Sequence, residues 1–156
     1  MRINVLSVWR QWRRDTRGAV MVEFAVASLV FFLIIAGILD LGHAFYMRQV
    51  VTNASREGAR YGITYRTDTS GQRIAPSSLS PSISGYLLND YISQTLMPPD
   101  ADPQVTVTGA GYATGDKRAN LEVSVSAVKT WFVLDNFVPG LGENLTLNAT
   151  TVMQCE

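Results

Sequence analysis

The 156-residue chain holds one cysteine, Cys155, and one histidine, His43. A lone cysteine forbids an intrachain disulfide and rules out metal sites of the Cys-x-x-Cys kind, so the cysteines do not reveal the redox compartment. No Gly-x-Gly-x-x-Gly opens a helix, no phosphate loop is present, and no His, Asp and Glu cluster has metal-ligand spacing. Gly109-Ala110-Gly111 reads as a hairpin turn and His43 as a packing residue. These absences predict a chain that is not an enzyme, with no cofactor, no metal and no small-molecule substrate. An excess of one charge is also missing, since 13 Lys and Arg balance 13 Asp and Glu. The positive charges gather early: Arg2, Arg10, Arg13, Arg14 and Arg17 face only Asp15, whereas eight basic residues meet ten acidic ones from residue 41 onward. Arginines that stop against an apolar run, ahead of a slightly acidic remainder, argue against nucleic acid as a partner.

What the sequence has in quantity is hydrocarbon. Residues 17–42 read RGAVMVEFAVASLVFFLIIAGILDLG, and from Phe24 to Leu39 every residue is apolar or small. As a helix, Ala19 to Leu39 spans roughly 31 Å, the thickness of a bilayer core. The arginines before it orient the N-terminus to the cytoplasm, so that residues after Asp40 are exported. A cleaved secretory signal ending at Gly42-His43-Ala44 is the competing reading, but the run exceeds the usual h-region and its pattern continues as helix. Glu23 is the anomaly. A carboxylate near the end of a membrane helix costs a few kcal/mol, roughly, and such residues are generally paired.

Beyond Asp40, LGHAFYMRQVVTNASREGARYG keeps apolar residues at helical spacing, with Tyr46, Val50, Ala54 and Tyr61 on one stripe and Arg48, Gln49, Thr52, Asn53, Ser55, Arg56, Glu57 and Arg60 elsewhere. One helix of about 40 residues is expected. The Ser, Thr, Gly and Pro of residues 64–82 form a loop; Ser80 and Pro81 then supply a cap and first turn for a helix over 81–96, with Ile83, Leu87 and Tyr91 on one face. Alternation at 104–108, 119–128 and 144–152 predicts three strands, with Leu121, Val123, Val125 and Ala127 facing the core. A small antiparallel sheet needs a cover, and the two helices provide one, so the fold class is α+β. The stretch TWFVLDNFVPGLG at 130–142 carries one charge among seven large apolar residues. It either folds over the domain's own core or forms a contact surface. Asn53-Ala54-Ser55, Asn144-Leu145-Thr146 and Asn148-Ala149-Thr150 match the glycosylation pattern, a match short enough to arise by chance.

Arginines, then Gly18, then Ala-Val-Met-Val-Glu-Phe and an unbroken apolar helix resemble the processing site of the type IV pilin superfamily. The closer resemblance is to the TadE-like pseudopilins, or minor pilins, of the tight-adherence (Tad/Flp) pilus system, through that site and the Asn53–Gly62 segment NASREGARYG. The resemblance covers residues 13–62 and implies cleavage by a prepilin peptidase between Gly18 and Ala19, with Glu23 as the fifth mature residue. Glycine before the cut imposes no side chain on the enzyme. The new amine at Ala19 would lie one turn from Glu23, and in pilins the pairing partner is the amine of a neighbouring subunit. Phe24 stands where major Flp pilins usually carry tyrosine, and the region past residue 62 is far larger than theirs. Both departures favour a minor pilin or pseudopilin.

The organisation expected is a basic leader at 1–18, a transmembrane and amphipathic helix at 19–62 and an exported domain at 63–156. The expected partners are the inner membrane, the prepilin peptidase, other pilin or pseudopilin subunits and the Tad assembly machinery. The alternative is an uncleaved single-pass anchor whose periplasmic domain binds a partner.

Overall fold

The computed structural model describes residues 16–138, 140, 142 and 144–156, with side chains from Gly18 onward. The leader arginines Arg2, Arg10, Arg13 and Arg14, and Pro139 and Leu141 of the apolar loop, lie outside the described residues. Two units divide between Leu39 and Asp40.

Helix α1, Thr16–Ile63, has 48 residues, about 72 Å at the usual rise per residue. It passes through Gly42-His43-Ala44 without a break, as expected of a pattern that continues helically beyond the apolar run. In the first unit, no residue from Gly18 to Leu39 is buried. The one hydroxyl in that apolar stretch, Ser28, donates back to the Ala25 carbonyl at 2.9 Å. Its polarity is therefore met within the helix, which suits a hydrocarbon surrounding.

The second unit is a three-stranded antiparallel sheet in the order β1–β2–β3, with β1 at Gln104–Thr108, β2 at Asn120–Thr130 and β3 at Asn144–Gln154. With α1 and the short helices it makes the fold α+β. Alternation along β2 places Leu121, Val123, Val125 and Ala127 on the buried face. Their partners across β3 are Met153, Thr151, Ala149 and Leu147, while Val105 and Val107 of β1 pair with Val125 and Val123. The later turns of α1 cover this face. Met47, Val51, Ala54 and Ala59 join the core, and the Ser55 hydroxyl meets that of Thr151 at 2.8 Å. Of the expected stripe, Val50 and Ala54 are buried. Tyr61 is half-buried and stacks on Tyr86 at 4.4 Å, while Tyr46 is turned outward, its hydroxyl accepting from the Leu96 amide.

The second helical segment departs from expectation in two ways. Its cap is Ser82, which accepts from the Gly85 amide at 3.1 Å, so the helix begins at Ile83 and not at Pro81. It is also not a uniform α-helix: helix α2, Ile83–Gly85, runs into a π-helical Tyr86–Tyr91 and a 3-10 turn at Ile92–Gln94. The reason is spacing. Ile83, Leu87 and Ile92 are the buried residues, and a step of five from Leu87 to Ile92 fits a π turn, whereas an α turn would bring in Tyr91. The Gly109-Ala110-Gly111 connection holds a short helix, α3 at Ala110–Thr114, instead of a tight hairpin turn. Gly111 packs against Cys155 and the Ala119 carbonyl, where any side chain would collide.

Candidate functional site

The N-terminal candidates lie in the first turns of α1. Gly18, Ala19, Glu23 and Phe24 are all exposed, Phe24 by 74%. Ala19 and Glu23 are four residues apart and share a helix face, whereas Gly18 and Phe24 are each offset by about 100° from that stripe. A Cβ built on Gly18 meets nothing within 4 Å. Glycine in a helix costs roughly 1 kcal/mol relative to alanine, and here no packing among the described residues requires it. The ion pairs formed among the described residues, Arg60 with Glu57 and Lys129 with Asp40, do not include Glu23.

The Asn53–Gly62 segment has a different role. Ala54, Gly58 and Gly62 recur every fourth residue and face the domain. A Cβ on Gly58 would come within 2.5 Å of Leu87 Cδ1, and one on Gly62 within 2.4 Å of Leu121 Cδ2 and 2.7 Å of Ile83 Cδ1. The glycines let the sheet and the second helical segment close on α1. Outward, Glu57 pairs with Arg60 and accepts from the Tyr86 hydroxyl. Burial and the Glu57 carboxylate beside it raise the Tyr86 phenol above its ordinary value.

A polar centre that the sequence reading missed sits at the start of the second unit. The Asp40 and Lys129 side chains are both fully buried and pair at 3.2 Å. Asp40 also accepts the backbone N–H groups of Phe132 and Val133, each at 2.9 Å, and of Leu134 at 3.1 Å. Burial alone would raise its carboxyl; these donors and the Lys129 ammonium outweigh it, and the group is lowered to about 2. The ammonium also donates to the Thr130 carbonyl and lies 4.3 Å from the Phe132 ring centroid and 5.2 Å from that of Trp131. His43 stacks between Phe132, at 5.3 Å, and Tyr46, at 6.5 Å. Its pKa is lowered first by burial and then by the Lys129 charge, with Asp40 and Asp100 opposing. Among the described residues, His43 Nδ1 and Trp131 Nε1 are buried without partners. Period two along β2 is the signal that finds this centre: the buried series from Leu121 to Ala127 runs on to Lys129, two residues beyond its expected end.

Chemically the centre is a clasp. It fixes residues 132–134, which lead into and open the short helix α4 at Leu134–Phe137, to the helix residue that follows the apolar run. Among the described residues no group of three His, Cys, Asp or Glu is placed to hold a metal. The helix holding the apolar run is long and apolar enough to cross a membrane. Residues 18–60 match the family model of TadE-like proteins, a match that suggests a pilin-like protein associated with a Tad pilus. No curated protein and no solved structure matches the chain.

Proposed function

We propose that the chain is a pilin-like structural subunit of a Tad pilus and secretion apparatus, matured by a prepilin peptidase that cuts between Gly18 and Ala19. The leader lies in the cytoplasm, Ala19 to Leu39 crosses the inner membrane, and the unit from Asp40 is exported. The observation that carries this reading is where the family match begins: it opens at Gly18, a glycine that no packing among the described residues requires. Glu23 supports it. Glu23 is an exposed carboxylate on a helix face otherwise suited to lipid, and such a group is stabilised by an opposite charge nearby. After cleavage the Ala19 ammonium stands one turn away, and a neighbouring subunit offers an equivalent amine when helices pack side by side. Phe24, exposed beside Glu23, gives that contact an apolar flank.

The test is the N-terminus of the mature protein. Co-expression with a matching prepilin peptidase should yield Ala19 as the first residue, and Gly18→Leu should keep the leader because a bulky side chain obstructs the peptidase. An unshortened wild-type chain would make this an uncleaved membrane anchor with a periplasmic binding domain, and the pilin reading would be withdrawn.

A further inference from the structure

We infer that the segment Phe132 to Val138 is a membrane-interface element, its exposed side chains Phe132, Phe137 and Val138 seated in the outer leaflet; this rests on the proposed crossing at Ala19 to Leu39. Asp40 follows directly on Leu39, and its carboxylate holds the amides of Phe132, Val133 and Leu134 at 2.9–3.1 Å. The backbone of the segment therefore lies within about one helical turn of the point where hydrocarbon gives way to headgroups. Three of its apolar side chains are left outside the domain's core, Phe132 at 64% exposed, Phe137 at 56% and Val138, whereas Val133 and Leu134 are half-buried. Leu41 and Phe45, on the first turns of α1 past Asp40, are exposed too. They are joined to the segment through Trp131, which lines one groove with Leu41, Phe45 and Arg48.

The order along the helix axis favours lipid over a protein partner. Apolar and aromatic side chains come first, beside Asp40, where interfacial aromatics gather in membrane proteins. Arg48 follows eight residues on, roughly 12 Å further out, where a guanidinium meets lipid phosphates while its stem covers apolar surface. The one carboxylate on the segment, Asp135, is engaged locally by the Asn136 amide and side chain at 2.9 and 3.0 Å. The Asp40 clasp would thus hold these side chains at the level of the headgroups.

The full chain, with Cys155→Ala, can be reconstituted at one copy per nanodisc of phosphatidylethanolamine and phosphatidylglycerol. An environment-sensitive fluorophore is then placed at Leu39→Cys, Phe137→Cys or Val152→Cys, and quenching by lipid spin-labelled near the headgroup is measured. Val152 is exposed on β3, seven residues and roughly 23 Å of strand from the Leu145 position that pairs with Lys129. Quenching at positions 39 and 137 should exceed that at 152 by about twofold or more, as interfacial side chains require. Strong quenching at 39 with position 137 no different from 152 overturns the inference and leaves the span intact. Failure at position 39 as well removes the span and the inference with it. A blue shift at 137 that needs two or more copies per disc, without lipid quenching, assigns the patch to a neighbouring chain and also overturns the inference.

Discussion

Asp40 receives four hydrogen bonds on two oxygens while fully shielded from solvent. Replacing it by Asn keeps the size but leaves one acceptor oxygen, turns an NH2 toward backbone amides and strands the buried Lys129 ammonium. Breaking one side of a buried pair costs about 3–5 kcal/mol, so Asp40→Asn should lower the midpoint of denaturant unfolding of the detergent-solubilised chain by that order. Adding Lys129→Met should recover part of the loss, because the stranded charge is gone while the amide mismatch persists. The same pair sets a pH response. The carboxyl is lowered from 3.8 to about 2 in the folded chain, so the unfolded state binds a proton first as pH falls. Its stabilisation is present above about pH 4 and lost as pH drops toward 2, on the order of 2 kcal/mol in total. Unfolding measured from pH 5 to pH 2 should show a steeper loss for wild type than for Asp40→Asn. Equal slopes would mean that Asp40 does not carry the effect.

At the scale of elements, the later half of α1 and the sheet meet along a line of small residues. Gly58→Val should destabilise the second unit by about 1–3 kcal/mol. The branched side chain would drive into Leu87 and Val123, which lie 2.5 and 3.1 Å from a Cβ placed there, and overpacking of this kind exceeds the gain in helix propensity. Gly18→Val, with nothing within 4 Å, should leave the thermal unfolding of that unit unchanged. The contrast separates a packing glycine from one that is not. Much of this level was legible in the sequence. Strand β1 and the inward face of β2 follow from strict alternation, and the apolar half of α1 from its unbroken run. What escaped did so for physical reasons. Two serines precede the second helical segment, and only tertiary burial of Ile83 and Leu87 decides that Ser82 caps it. A five-residue step to Ile92 defeats a search tuned to 3.6. Lys129 lies on a buried face because Asp40, 89 residues away in sequence, neutralises it, and no local window contains both partners. Gly18, Ala19, Glu23 and Phe24 were singled out from their order in the sequence, and the structure adds that all four are exposed.

For the whole molecule the decisive question is whether Glu23 serves insertion or assembly, because the two make opposite demands on its charge. Insertion is opposed by an ionised carboxylate, so Glu23→Gln should leave membrane residence equal or improved. The proposed cut after Gly18 would need the backbone and not the Glu23 charge, so the variant should still mature to Ala19. Assembly is different: an amide attracts a neighbouring Ala19 ammonium far less than a carboxylate does, and the difference grows in low dielectric. The variant should therefore accumulate in the membrane at mature length while its recovery with sheared pilus material, or in cross-links to other subunits, falls. A general folding defect would lower membrane level and assembly together, and the second unit offers an internal control, since Glu23 lies in the other unit and the unfolding of residues 40–156 should not change. Fractionation of cells expressing Glu23→Gln, with membrane level, mature length and pilus-associated recovery measured side by side, reads all of these at once. Normal recovery in pilus material would reduce Glu23 to a carboxylate facing headgroups, and the pairing of subunits through this residue would have to be given up.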